Sequence, residues 1–368
     1  MSRLEELIEK LCPNGVEVKK LREVSYMQRG TSLTKAKAVD GDIPVISGGK
    51  EPAFYCNSSN RDGETITVAG SGAGAGYVQY WNIPIFANDC FTVKGNEFTE
   101  TKYLYYFMTN IQDKISDTKK GGGVPHVHIS DVENFSLPVP PLEVQREIVH
   151  ILDSFTLLTA ELTAELTARK KQYDFYCNKL LTFESDIPLL LLGEVCDLQA
   201  GKAIKATEIY DVETNQATIP CYGANGLRGY VEKSNQEGDK SIIGRQGAQC
   251  GNVCYATGKY YATEHAVVVT DKGHFNSRYL FHALTHANLN QYKTAGAQPG
   301  LSVAKLNDVI IAVPDRKIQD KIANVLDNFE AICTDLNIGL PAEIEARQKQ
   351  YEYYRDLLLT FAETDRQS

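Results

Sequence analysis

The chain has 368 residues, enough for about two or three ordinary domains, with 43% hydrophobic and 23% charged residues, the balance of a soluble globular protein. No apolar run approaches the roughly 20 residues that span a bilayer, the first ten residues carry charges in place of an apolar signal core, and a cytoplasmic protein is expected. The net charge of −9, taken alone, argues weakly against nucleic-acid binding, though a whole-chain sum does not describe one face, and the nine scattered cysteines, with no CxxC pair, suit a reducing compartment without a metal site.

Taken in chain order, Arg3–Leu11 is a short amphipathic helix ended by Pro13-Asn14-Gly15. A globular stretch follows, with strand-like runs at Glu64–Ala69, Tyr77–Trp81 and Cys90–Lys94 between glycine and asparagine turns. A helix is expected over Lys102–Asp117. From Leu142 the period becomes helical, with Ile148, Ile151, Leu152 and Phe155 on one stripe. The tetrapeptide Thr-Ala-Glu-Leu is then written twice, over Thr159–Leu166. Beyond it, Leu166, Arg169, Tyr173, Tyr176, Leu180 and Phe183 step by three and four, the spacing of a coiled-coil seam. A second globular stretch has strand-like runs at Ser241–Ile243 and Ala266–Thr270 and a helix at Ser277–Gln291. The second seam is Ile344, Arg347, Tyr351, Tyr354, Leu358 and Phe361.

This order is an internal duplication. Pro140 and Pro314 end the strand-like runs Leu137-Pro-Val-Pro and Ile311-Ala-Val-Pro, at an offset of 174 residues. At that offset Pro125 matches Pro299, Gln145 matches Gln319, Asp153 matches Asp327 and Phe155 matches Phe329. Farther on, Ala168-Arg-Lys-Lys-Gln-Tyr matches Ala346-Arg-Gln-Lys-Gln-Tyr at an offset of 178. The four extra residues are expected near Ile338-Gly-Leu-Pro, a turn between helices. The expected fold is α+β: two recognition domains separated by a pair of long antiparallel coiled-coil-like helices, with pseudo-two-fold symmetry. The expected divisions are 1–141 for the first domain, 142–186 for the central spacer, 187–315 for the second domain and 316–368 for the distal spacer.

Candidate chemistry is sparse. Gly70-Ser-Gly-Ala-Gly-Ala-Gly76 invites a phosphate-cradling reading, but Tyr77-Val-Gln-Tyr-Trp after it is strand-like and Ala75 breaks the G-x-G-x-x-G spacing. A tight turn is the better reading, either plain or letting backbone approach DNA. Gly244–Gly251 is its counterpart. His282 and His286 stand at i, i+4 without the glutamate of a zinc-protease motif and are read as surface or packing residues. No Asn- or Asp-Pro-Pro-aromatic loop of an amino-methylating enzyme is present. Lys50, Arg61, Lys202, Arg228 and Arg245 lie in loops beside glycine or asparagine, where a cation could bind phosphate or guanine. Ser71, His126 and His128 in the first half, and Gln246 and Gln298 in the second, are candidates to read base edges. Each of these has a bland alternative as a solvated charge or a satisfied turn.

The segments Leu11-Cys-Pro-Asn-Gly-Val-Glu-Val-Lys-Lys-Leu and Pro138-Val-Pro-Pro-Leu-Glu-Val-Gln-Arg-Glu-Ile-Val-His-Ile-Leu-Asp-Ser-Phe resemble blocks of type I restriction specificity subunits. So do the two Ala-Arg-(Lys/Gln)-Lys-Gln-Tyr blocks, and the resemblance covers nearly the whole chain. It implies two target-recognition domains, each reading half of a split double-stranded DNA site. It implies that the helices dock two methyltransferase subunits and that restriction/translocase subunits join them. S-adenosylmethionine, ATP and Mg would belong to those partners, and this chain would carry no catalytic residue and no metal. Two other readings compete. A stand-alone DNA methyltransferase would transfer methyl groups without partners, and a non-DNA scaffold would show no salt-sensitive, sequence-selective binding.

The doubled Thr-Ala-Glu-Leu has a mechanical meaning in such a subunit. One more copy lengthens a helix by about 6 Å and turns it by about 40°, against about 3.4 Å and roughly 35° for one DNA base pair. A three-copy variant should lengthen the unread gap of the methylated site by about one base pair. Methylation mapping checks this, and an unchanged gap refutes it.

Overall fold

The computed structural model describes residues 3–183, 187–247, 249–294 and 299–361. Packing gathers the chain into two compact units, Met1–Glu161 with Ile344–Ser368, and Leu162–Glu343. The boundary at Glu161 falls inside the doubled tetrapeptide, so each unit holds one head and parts of both spacers.

In the first unit, the head is built on an antiparallel four-stranded sheet in the order Ser25–Arg29, Cys90–Gly95, Thr65–Ala69, Val78–Trp81. Thr65–Ala69 is buried along its whole length, an inner strand between Cys90–Gly95 and Val78–Trp81 with a covering helix against it. The helix expected over Lys102–Asp117 is present as Thr101–Asn110 and Gln112–Asp117, split at Ile111. Glu17–Lys20 pairs with Ser136–Val139, so the first and last strands of the head close on each other. Pro138 is tolerated there because this ladder has only two strands.

The second unit repeats the plan. Its sheet runs Cys196–Ala200, Ala266–Asp271, Lys240–Gly244, Val253–Ala256, and Leu189–Leu191 closes on Ile310–Ala312. The covering helix is Ser277–His286, shorter than expected because Asn288 adopts a left-handed conformation and a 3₁₀ turn follows.

The central spacer is one helix, Leu142–Leu181. At 1.5 Å per residue it is about 60 Å long. The distal spacer is two helices, Arg316–Thr334 and Leu340–Leu358, interrupted where the four extra residues were expected. Gly339 suits this turn, since a Cβ there would sit 2.6 Å from the carbonyl oxygens of Ala331 and Asp335.

A buried glutamine fastens each spacer to its head. Gln145, fully buried, donates to the carbonyls of Phe98 (2.9 Å) and Pro140 (2.7 Å) and accepts from the Glu100 amide (2.9 Å). Gln319 does the same to His274 (2.9 Å), Pro314 (2.8 Å) and the Asn276 amide (2.6 Å). Close by, the Tyr103 hydroxyl donates to Pro138 O and the Tyr279 hydroxyl to Ala312 O, both at 3.0 Å. Eight residues farther on, about two helical turns, an aspartate makes the next tie. Asp153 accepts from Tyr106 (2.5 Å) and Lys102 (2.8 Å). Asp327 accepts from Arg278 (2.8 Å) and His282 (2.7 Å).

The seams pack reciprocally. In the first unit Phe155 of the central spacer stacks on Tyr354 of the distal one, 5.3 Å between centroids. In the second unit the matching pair is Phe329 of the distal spacer on Tyr176 of the central one, at 5.2 Å. Other seam residues enter the heads' cores. Tyr173 and Leu180 pack against the second core and Tyr351 and Leu358 against the first, while Leu166 and Ile344 are half-buried near the unit boundaries.

His282 is a packing residue, 1% exposed, as its spacing suggested. Nε2–H donates to Asp327 and Nδ1 accepts from the Tyr173 hydroxyl at 3.3 Å, the pattern of a neutral imidazole. His286 meets Asn178 at 3.0 Å.

Two predictions follow from these ties. Gln145→Ala strands two carbonyls and an amide in the core and should cost at least about 2 kcal/mol, read as a lower denaturant midpoint. The second concerns pH. Burial holds His282 below its ordinary value of 6.5, against the opposing hydrogen bond to Asp327. The unfolded chain therefore takes up this proton first, so the contribution is full above about pH 6.5 and is lost as pH falls through that value. The first unit has Tyr106 in the equivalent place. His282→Gln should flatten the loss of stability between about pH 7 and 5; an unchanged slope in pH-dependent unfolding would refute the assignment.

Candidate nucleic-acid interface

The glycine-rich loop of each head is a turn between neighbouring antiparallel strands, and no helix follows it. A phosphate cradle at a helix N-terminus is therefore excluded here. The turn needs glycine at Gly76 (φ 82°) and Gly251 (φ 93°), whose amides donate to Ala69 O and Gly244 O at 2.7 Å.

Each loop is held by a second segment far away in sequence. In the first head Gly72 N donates to Pro125 O (3.0 Å), Val127 N to Gly70 O (3.1 Å) and Gly70 N to Asp89 O (3.1 Å). In the second, Gly247 N donates to Pro299 O (3.0 Å), Leu301 N to Arg245 O (2.9 Å) and Arg245 N to His265 O (2.9 Å). The same ladder thus sets Gly70 against Arg245, Ser71 against Gln246 and His126 against Gly300. The backbone is shared and the side chains are not.

In the first head this brings several predicted residues together. Ser71 pairs across the ladder with His126, and its hydroxyl donates to the Asp89 carboxylate. His126 and His128 are exposed, with parallel rings 5.9 Å apart, and flank Val127, which is 1% exposed. They line a cleft of about 210 Å³ with Arg29, Asn88 and Asp89. The loop before Lys50 abuts the glycine loop, since a Cβ on Gly48 would lie 2.3 Å from Ser71 O. Lys50 itself is exposed, its ammonium 5.2 Å from the centre of the Tyr77 ring. Arg61 differs from the others. Its guanidinium donates to Thr92 Oγ1 (2.9 Å), Asn60 O (2.6 Å) and Arg29 O (2.8 Å), so it ties strands together.

In the second head the backbone at Lys202 and Arg245 and the side chain of Arg228 adjoin the turn at Thr263–His265. Lys202 N donates to Ala262 O (2.9 Å). A Cβ on Gly223 would touch both Arg228 Cδ and Thr263 Oγ1, at 3.4 and 3.6 Å. Gln246 is exposed and pairs with Gly300, and Gln298 lies outside the described residues. Sequence reasoning passed over Asp89, Glu264 and His265, because nothing in the local pattern marks a turn as facing a loop 20 residues away. It also passed over a cavity of about 670 Å³ lined by Lys205, Tyr210, Lys233 and Tyr261.

Among the described residues, His282, Asp327 and Glu330 form the one group with metal-ligand spacing. The Arg278 guanidinium already bridges both carboxylates, supplying the positive charge an ion would bring. Burial alone would raise Asp327, but the Arg278 and His282 hydrogen bonds hold it below the usual carboxylate range.

Two heads with one backbone plan and different loop side chains, each tied to a long helix, define a two-headed recognition subunit. A family model described as the type I restriction modification DNA specificity domain matches twice, over residues 13–169 and 189–346. The chain belongs to this family, the DNA specificity subunits of type I restriction-modification systems. It is similar to the Escherichia coli type I restriction enzyme EcoprrI specificity subunit, with 35% identity covering 91% of this chain and 92% of the relative. The E. coli EcoR124I/EcoR124II specificity subunit is 29% identical, covering 98% and 97%. The crystal structure of the type I S subunit from M. genitalium shares the fold, with a TM-score of 0.68 at 20% identity, covering 93% and 94%.

The geometry separates two cations that the sequence treated alike. Arg61→Ala should lower folding stability by about 1–3 kcal/mol through its lost hydrogen bonds. Lys50→Ala should leave stability unchanged, weaken binding to all DNA sequences and reduce the salt slope by about 1. Denaturation curves and binding at several salt concentrations distinguish them.

Proposed function

We propose that the chain reads a split, asymmetric double-stranded DNA site, one half with each head, and brings two methyltransferase subunits and restriction/translocase subunits to it. The observation that carries this reading is the shared ladder with exchanged side chains. One scaffold holds Ser71, His126 and His128 in the first head and Gln246 and Gly300 in the second. Equivalent loops with different hydrogen-bonding groups suit two different half-sites. The net charge of −9 is a sum over the whole chain and does not describe the charge of one face.

The chain in this reading supplies no catalytic group. S-adenosylmethionine, ATP and Mg belong to the partner subunits, and the spacers provide the docking surface. A cytoplasmic place is consistent with there being no helix among the described residues long and apolar enough to cross a membrane.

Methylation mapping of a genome carrying this chain with its methyltransferase is the test. The expected result is a two-part motif with unequal halves and a gap of fixed length. Methylation that lacks such a motif, or that persists without this chain, would refute the reading.

A further inference from the structure

We propose that Arg245, Glu264 and His265 read base edges in the half-site recognised by the second head, and that the bases they read include a G·C pair. The inference rests on the reading of the chain as a DNA specificity subunit and names the groups that act.

The two heads provide an internal comparison. In the first head the rung that joins the glycine loop to the facing turn is closed on itself. Gly70 has no side chain there, and the Asp89 carboxylate is taken by the Ser71 hydroxyl. In the second head the equivalent rung is Arg245 against His265, and the turn carries Glu264 as well. Glu264 Oε1 lies 3.2 Å from His265 Nε2. Beyond that contact three polar atoms of the rung are unpaired. Arg245 Nε, Glu264 Oε2 and His265 Nδ1 are shielded from solvent and have no hydrogen-bond partner among the described residues.

Such atoms are rare, since more than nine in ten buried polar groups are paired. Three of them lie on one rung, drawn from a cation, an anion and an imidazole. The side chains are not sealed in: those of His265 and Glu264 are 34% and 39% exposed. The backbone of Arg245 is held at both its amide and its carbonyl, the amide on His265 O. The rung is a rigid mount for side chains whose hydrogen-bonding capacity is incompletely used.

The chemistry indicates what completes it. A guanidinium matches guanine O6 and N7, and a carboxylate accepts from the cytosine amino group. Donor and acceptor side by side suit the two members of a G·C pair or adjacent pairs. Lys202 and Arg228, which adjoin the same turn, can hold the flanking phosphates.

The test uses this chain assembled with its methyltransferase partners and the site found by methylation mapping. Competition binding is measured against duplexes that each carry one changed base pair. Glu264→Gln keeps the side chain's shape, and Arg245→Ala removes the guanidinium. For either variant, discrimination at one or two G·C pairs of a single half-site should fall by about 10–100-fold. Affinity for unrelated DNA, discrimination in the other half-site and the unfolding midpoint should stay as in the parent. Full discrimination at every pair in Glu264→Gln overturns the proposal. So does an equal loss on all sequences, which would mark a phosphate or folding role. A parent complex that shows no preference for its mapped site would instead remove the specificity-subunit reading itself.

Discussion

The joint between head and spacer rests on one buried amide side chain. Gln145 and Gln319 each satisfy two carbonyls and one amide that would otherwise be stranded where a helix leaves a sheet. A neutral amide is suited to this because it donates and accepts from one planar group without a desolvated charge. The aspartate farther along each spacer adds a second point of attachment, so the helix direction is set by two ties to the same head. A spacer is useful as a ruler only if it is held rigidly at the head it carries. The duplicated glutamine and aspartate supply that stiffness inside both units.

The aspartate ties show how duplicated parts diverge without losing their role. Lys102 and Tyr106 serve Asp153, whereas Arg278 and His282 serve Asp327. The geometry is kept while the donors change, and with them the response to pH. The glycine-loop ladder behaves in the same way. Its backbone bonds recur almost one for one, yet Gly70 faces Arg245 and His126 faces Gly300 across the copies. Backbone hydrogen bonds do not depend on side-chain identity, so a surface can be rewritten on an unchanged frame. That property is what a subunit with two different targets requires.

Much of this was legible from residue order. The duplication, the long central helix, the break near Gly339 and several strands of the two larger sheets were read from offsets and periodicity. Periodicity reports local structure faithfully because helix and strand each have a fixed repeat. The candidate site was less legible. Lys50 and Arg61 looked alike in sequence, yet Lys50 is exposed beside the Tyr77 ring and Arg61 ties strands together. Asp89, Glu264 and His265 carried no sequence signal, since a turn gains meaning only from the loop it faces.

The sequence by itself determined that two like halves exist, that a long helix follows the first head and that the distal spacer breaks near Gly339, because repeats and helical spacing are properties of neighbours along the chain. Only the tertiary structure decided which parts pack together. The chain order is head, helix, head, helix, yet each compact unit takes helical segments from both spacers, and Phe155 meets Tyr354 as Phe329 meets Tyr176. It also decided which loop cations are committed to the fold and which polar groups are left open. Those are questions of contact between residues 20 to 200 positions apart, and no local pattern encodes such a contact.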